Sequence, residues 1–170
     1  MNEPNPYRAP ESTIVETRSV TDLADRGTRL GAAIIDALIL LVVLLPAMFF
    51  GGYFSAVMAA AQAGDTPSFA LVAMWGAIGL VLFVVVQGYP LSATGQTWGK
   101  KFLGIKIVDM DGNKPPFEKL LALRYLPVQA VSLVPIVGNI LPLINVLLIF
   151  RSDYRCGHDL IAGTRVVKAR

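Results

Sequence analysis

The chain of 170 residues has one cysteine, one histidine and two tryptophans, and residues 30–99 pass without a single lysine or arginine. Each scarcity excludes something. A lone Cys156 allows no internal disulfide and gives no sign of an oxidising compartment. With His158 as its only histidine, the chain cannot supply the nitrogen and sulfur ligands of a zinc site, and no metal is expected. The first 28 residues mix charged and polar groups with no short apolar core before a small-residue cleavage site, so no signal peptide is expected. A nucleophile paired with a base, a metal cluster and a cofactor loop are all missing, which argues against an enzyme and against a cofactor. "TGQTWGKK" looks like a phosphate loop at first sight. It has three residues rather than four between Gly95 and Gly99, and Lys101 follows Lys100 where Ser or Thr is required.

The charge balance of +3 points toward nucleic acid only until its distribution is read. All 15 cations lie in residues 1–29 and 100–170, a segregation that a bilayer imposes and a nucleic-acid surface does not. With 54% apolar residues and a mean hydropathy of +0.58, the chain is a membrane protein by composition.

Residues 1–20 carry prolines and scattered charges around few large apolar groups, and are expected to be a disordered cytoplasmic tail. Residues 21–170 form one transmembrane domain. Thr21 or Asp22 could cap a helix leading into the bilayer, with Asp25, Arg26 and Arg29 in its first turns. A span needs about 20 apolar residues. Residues 29–50 and 69–89 meet that length; residues 120–134 and 140–150 fall short and are split by "PIVGN". Cations flank the outer ends of this pattern and fill the connector after the second span, which places both termini and that connector in the cytoplasm and requires an even number of crossings. The fold expected is therefore an all-α membrane protein of about four transmembrane helices, the last two short or folded as a re-entrant hairpin. Alternation in "LGIKIVD" and "GTRVVKA" adds a small cytoplasmic two-stranded sheet, Gly104–Asp109 against Thr164–Lys168.

Four features occur together in order: Arg29 opening the first span, Asp36 seven residues on, "GQTWGKKFLGIKIVDMDG" at 95–112, and "DYRCGHDLIAGTRVV" at 153–167. Over residues 21–167 the chain resembles the RDD family of bacterial integral membrane proteins, named for an arginine and two aspartates. By position these match Arg29, Asp36 and Asp159. The resemblance implies a multi-pass protein of the bacterial inner membrane, and it implies cation/proton exchange as an activity because some members are linked to it. The competing reading is a membrane-embedded interaction or assembly protein whose buried charges are structural.

Asp36 is the residue to explain. An aspartate near a helix centre costs about 2.5–3.5 kcal/mol to insert, which roughly six to eight large apolar residues offset. An intramembrane carboxylate faces the bundle interior, pairs with a cation or carries a proton. A structural pair with Arg124 and a proton or cation relay are the two readings. Arg29 and Asp36, seven residues apart, share one helix face about two turns apart, too far to meet without a third residue between them. Gln87, Ser132 and Asn145 are further polar groups in apolar runs, able to line a path or to bond between helices. Asp159 is expected beyond the last span, with His158 beside it as a proton site or, more plainly, a hydrogen-bonding cap. Trp98, Lys100 and Lys101 read as an interfacial anchor against anionic lipid headgroups, with Gly95 and Gly99 allowing close backbone packing. Four short helices enclose little volume, so a homo-oligomer is expected, and the cytosolic sheet offers a surface for a protein partner.

Overall fold

A computed structural model describes residues 23–134 and 137–169. The 1–20 tail and the suggested caps Thr21 and Asp22 lie outside the described residues. The first helix, α1 (Arg26–Phe50), starts at Asp25, whose carboxylate accepts from the Thr28 backbone N–H at 2.9 Å. It continues through Pro46, which sits near its far end. A sharp turn at Gly52, φ 78°, leads to α2 (Tyr53–Gln62). From composition this stretch reads as a glycine-rich connector; the alanines of "SAVMAAAQ" instead sustain nearly three turns.

Ser68 caps α3 (Phe69–Thr94) through the Leu71 N–H. This helix outlasts its apolar run by a turn. Pro90 lies inside it rather than ending it, and termination comes at Gly95, whose φ of 70° a side chain resists and whose N–H returns to the Leu91 carbonyl at 3.0 Å. A Cβ at Gly95 would also stand 2.9 Å from the Ile107 carbonyl oxygen. A short helix, α4 (Trp98–Phe102), follows, then β1 (Ile105–Asp109).

The third helical arm comprises α5 (Phe117–Leu120), a π turn at Leu121–Tyr125 and α6 (Leu126–Ser132). The fourth is α7 (Val137–Leu147) with a 3-10 turn at Leu148–Phe150, and α6 and α7 pack on each other as a helical hairpin. After it come α8 (Gly157–Ala162) and β2 (Thr164–Lys168). Helices α1 and α3 are long and apolar enough to cross a membrane; the hairpin arms are shorter.

The expected sheet is present. β1 and β2 pair antiparallel, Ile105 opposite Lys168 and Asp109 opposite Thr164, with Gly104 just outside the strand. Leu23 bridges Val167, and the Ala24 N–H donates to the Val166 carbonyl at 3.0 Å, so the chain entering α1 lies along β2.

The core sits at one end of the molecule. Ala24, Ala32, Leu91, Ile105, Ile107, Leu120 and Val166 are buried together, with Phe83, Phe117 and Tyr125 packed against them. Away from this base the helices turn large apolar groups outward: Val42 is 74% exposed and Phe50 85%. An outer surface of this kind suits lipid tails and not water.

Candidate functional site

Two carboxylates are drawn into the base of the bundle, and they are served differently. Asp159 is fully buried. It is the third residue of α8, where it accepts from the Cys156 backbone N–H at 3.1 Å and so caps its own helix. The same Oδ2 accepts from the Arg29 guanidinium at 2.5 Å, while Oδ1 pairs with the Arg124 guanidinium and accepts from the Thr164 hydroxyl at 3.2 Å. Arg124 in turn donates to that hydroxyl at 2.8 Å. Arg29 completes its bonds on the Tyr154 carbonyl and the Cys156 sulfur, the latter at 3.7 Å. Tyr154 takes φ 57°, uncommon for a side chain of its size, and its carbonyl is the one offered to Arg29.

Burial alone would raise the Asp159 carboxyl; Arg124, then His158 and Arg29, outweigh it and hold it well below the usual carboxylate range. One carboxylate thus ties α1, the π turn, α8 and β2 together. The π turn brings Arg124 to the interior, since an inserted residue rotates the following side chains around the helix axis.

Asp36 does not pair with Arg124, the partner its sequence setting offers; the structure gives Arg124 to Asp159. Nor does a third residue join Arg29 to Asp36, because Arg29 is turned to Asp159 as well. What meets Asp36 is the connector. Its Oδ1 accepts from the Gln87 amide at 2.9 Å and the Gly99 N–H at 2.7 Å; its Oδ2 accepts from the Thr97 hydroxyl at 2.5 Å. Gln87 is itself fixed by the Trp98 N–H, donated to its side-chain oxygen at 2.9 Å. Asp36 therefore caps α4 from a different helix, drawing the "TGQTWGKK" segment up against α1. Gly99 is the contact point: a Cβ there would collide with the Ala32 carbonyl oxygen and reach the Asp36 carboxyl carbon at 3.0 Å. The close packing expected of this glycine is present.

Lys100 corrects a further expectation. Rather than lying at the bilayer surface, its ammonium points inward, 3.2 Å from the Thr97 hydroxyl and 3.8 Å from Asp36 Oδ2. Burial, with Arg124 adding to it, pushes its pKa down to about 8 against the opposing pull of Asp36. Trp98 also bonds within the protein, its indole N–H donating to the Val86 carbonyl at 2.8 Å. Lys101 is exposed and lies over the Trp98 ring, 5.4 Å from its centre.

His158 binds as a cap partner. Its backbone N–H donates to the Asn145 side-chain oxygen at 2.9 Å and its Nδ1 lies against the same side chain. Burial, reinforced by Arg124, pushes the imidazole down to about 3, so it is uncharged near neutrality. Cys156, His158 and Asp159 present their ligand atoms within 4.8 Å of one another. Both Asp159 oxygens are already committed to guanidinium groups, and that donor set does not suit a cation. Ser132 bonds back to the Val128 carbonyl in its own helix.

Two cavities of about 560 Å³ each flank these groups. One opens beside α1 and the end of α7, reaching Lys100 and Arg124; the other runs between α1, α3 and α6 toward Trp75 and Tyr53. Leu40, Phe83, Arg124, Tyr125 and His158 line both. Among the described residues, the Trp75 indole N–H and the Tyr125 hydroxyl are buried without a hydrogen-bond partner. Their type and position carried no signal in the sequence.

A curated protein of Haemophilus influenzae, described as an uncharacterized protein, is 30% identical to this chain over 103 residues, 59% of the chain and 62% of the relative. The match therefore spans about three fifths of that relative's length. No solved structure matches. Residues 23–163 match the sequence model of the RDD family, a span that includes Arg29, Asp36 and Asp159, and the chain belongs to that family.

Proposed function

We propose that the protein is a multi-pass transporter of the bacterial inner membrane, both termini in the cytoplasm, working as a homo-oligomer and exchanging protons for a small cation. It is not an enzyme in this reading. The observation that carries it is that Leu40, Phe83, Arg124, Tyr125 and His158 line both cavities. Between them the two cavities border the bundle from Tyr53 at the start of α2 to Asp36 and Lys100 at its charged base. Lys100 is the titrating element, since an ammonium lowered to about 8 changes charge near neutrality, and it stands 3.8 Å from the Asp36 carboxylate.

Proton flux driven by a sodium or potassium gradient in proteoliposomes tests the proposal. Flux in the wild type that disappears in an equally monodisperse Asp36→Asn variant is the expected result. No flux from well-folded protein with either ion sinks it. A second reading, an interaction or assembly protein, is favoured by one observation: Asp159 has no acceptor capacity left after Arg29, Arg124, Thr164 and the Cys156 backbone N–H have bonded to it. On that reading Asp36→Asn lowers yield or assembly and alters no flux.

A further inference from the structure

The cavity beside α1 and α7 carries more positive charge than its protein neighbours neutralise. Arg26, Arg29, Lys100 and Arg124 line it, with Asp36 as the one lining carboxylate; Asp159 lies directly behind two of the arginines. Arg26 is engaged by the carbonyls of Ile149, Phe150 and Arg151 and by the Tyr154 ring, 4.2 Å away. Arg29 is committed to Asp159 and Tyr154. The unspent donors belong to three other groups. Lys100 has one hydroxyl within hydrogen-bond distance and its carboxylate partner only at 3.8 Å. Arg124 uses a single nitrogen, Nη1, for both of its hydrogen bonds. The buried Tyr125 hydroxyl has only the Arg124 guanidinium beside it, a group that donates and cannot accept, so its own O–H proton has no acceptor among the described residues.

Surplus positive charge, spare N–H donors and an orphaned O–H call for an acceptor with negative charge. The remainder of the lining says what that acceptor is attached to. Leu30, Ile149 and Phe150 line the same cavity, and Leu30 and Phe150 are themselves exposed on the outer face of the molecule. An apolar route thus leads from the surface that faces lipid tails to the charged end. A hydrated small anion would leave this wall bare; a chain of methylenes covers it and takes its own apolar surface out of water.

We infer that this cavity binds an anionic amphiphile, with its phosphate or carboxylate headgroup on Lys100, Arg124 and the Tyr125 hydroxyl, and its hydrocarbon chain along Leu30, Ile149 and Phe150. The inference goes beyond ion exchange and does not depend on it, since binding is read at equilibrium with no gradient. A headgroup seated there supplies the negative charge the base lacks and gives Tyr125 its acceptor.

The test is equilibrium binding to the full chain in detergent, read by native mass spectrometry, with phosphatidylglycerol, phosphatidylcholine and inorganic phosphate as the probes. Phosphatidylglycerol is expected to bind at one saturable site at least tenfold more tightly than phosphatidylcholine. Lys100→Gln is expected to weaken it about tenfold and Tyr125→Phe several-fold, while Leu30→Trp, which fills the tail route, blocks the lipid. If Lys100→Gln does not give folded protein, Tyr125→Phe and Leu30→Trp carry the test, because neither touches the hydrogen bonds of the two carboxylates. Equal binding of the two lipids, or binding of phosphatidylglycerol unchanged in Tyr125→Phe and Leu30→Trp, overturns the proposal. Inorganic phosphate binding as tightly as the lipid, indifferent to Leu30→Trp, also overturns it and assigns the donors to a free anion. Absence of flux in the wild type with lipid binding intact would sink the transport reading alone.

Discussion

Asp36 and Asp159 are both aspartates at the base of one bundle, and they solve the burial of a charge in opposite ways. Asp159 is enclosed by two guanidinium groups, a hydroxyl and a backbone N–H, with nothing of it left exposed. Asp36 keeps 15% of its side chain exposed, takes three neutral donors and meets its ammonium only at 3.8 Å. A carboxylate closed on all sides is a fastener. One that borders a cavity and holds its cation loosely can change partners, so the difference separates the residue that maintains the fold from the residue placed where chemistry can occur.

The comparison breaks most readily at Asp159. Removing it leaves two buried guanidinium groups facing each other without a counter-charge, and losing one partner of a buried ion pair costs about 3–5 kcal/mol. Asp159→Ala is expected to yield little monodisperse protein and a melting temperature lowered by ten degrees or more in detergent. Asp36→Asn, which keeps an oxygen for the Gln87 and Gly99 donors, should melt within a few degrees of the wild type. Equal losses in the two variants would erase the distinction.

Next in size is the approach of α4 to α1. Gly99→Ala forces a Cβ against the Ala32 carbonyl, and overpacking of this kind costs about 1–3 kcal/mol. Gly79→Ala, at a helical position where a Cβ meets nothing within 4 Å, is the control and should melt no lower than the wild type. Smaller still is Thr164→Val, which removes one hydroxyl from the Arg124–Asp159 cluster and should cost about 1 kcal/mol, read as a modest fall in melting temperature.

Titration separates the two sites by the pH window in which each acts. The folded-state pKa of Lys100 is lowered from 10.5 to about 8, so between those values the unfolded chain holds more protons and this group's contribution to stability rises with pH. Lys100→Met should flatten the rise between pH 8 and 10. On the acid side His158 is lowered from 6.5 to about 3 and Asp159 is lowered too, so both contributions are lost as pH falls: His158 below about 6.5, Asp159 below its ordinary value of 3.8. Melting curves of the wild type against Lys100→Met and His158→Gln from pH 4 to 10 check both arms.

Much of this arrangement is legible from the residues, for identifiable reasons. Alternation marks β1 and β2 because a strand exposes its two faces in turn, and apolar length marks α1 and α3 because a bilayer has a fixed thickness. That Asp36 and Arg124 lie inside follows from their isolation in apolar runs; the burial of Asp159, read as lying beyond the last span among Arg155 and His158, does not. Which of them meet does not follow, since isolation identifies a buried charge and says nothing of its partner. The π turn at Leu121–Tyr125 decides that pairing, and it has no mark in composition. The sequence misplaces Lys100 because a lysine beside a tryptophan has the signature of an interface, while the deciding contact, Gly99 against Ala32, is between backbones. Helix α2 is hidden because the glycines and the aspartate flanking it read as loop.

The partnership of Arg29 with Asp159 spans 130 positions of the chain. Until Asp159 has been made, Arg29 has no carboxylate to close on, so the order of synthesis leaves the first charge of the cluster waiting for the last. A chain cut before Asp159 is therefore expected to keep an open cationic base however well α1 and α3 have formed.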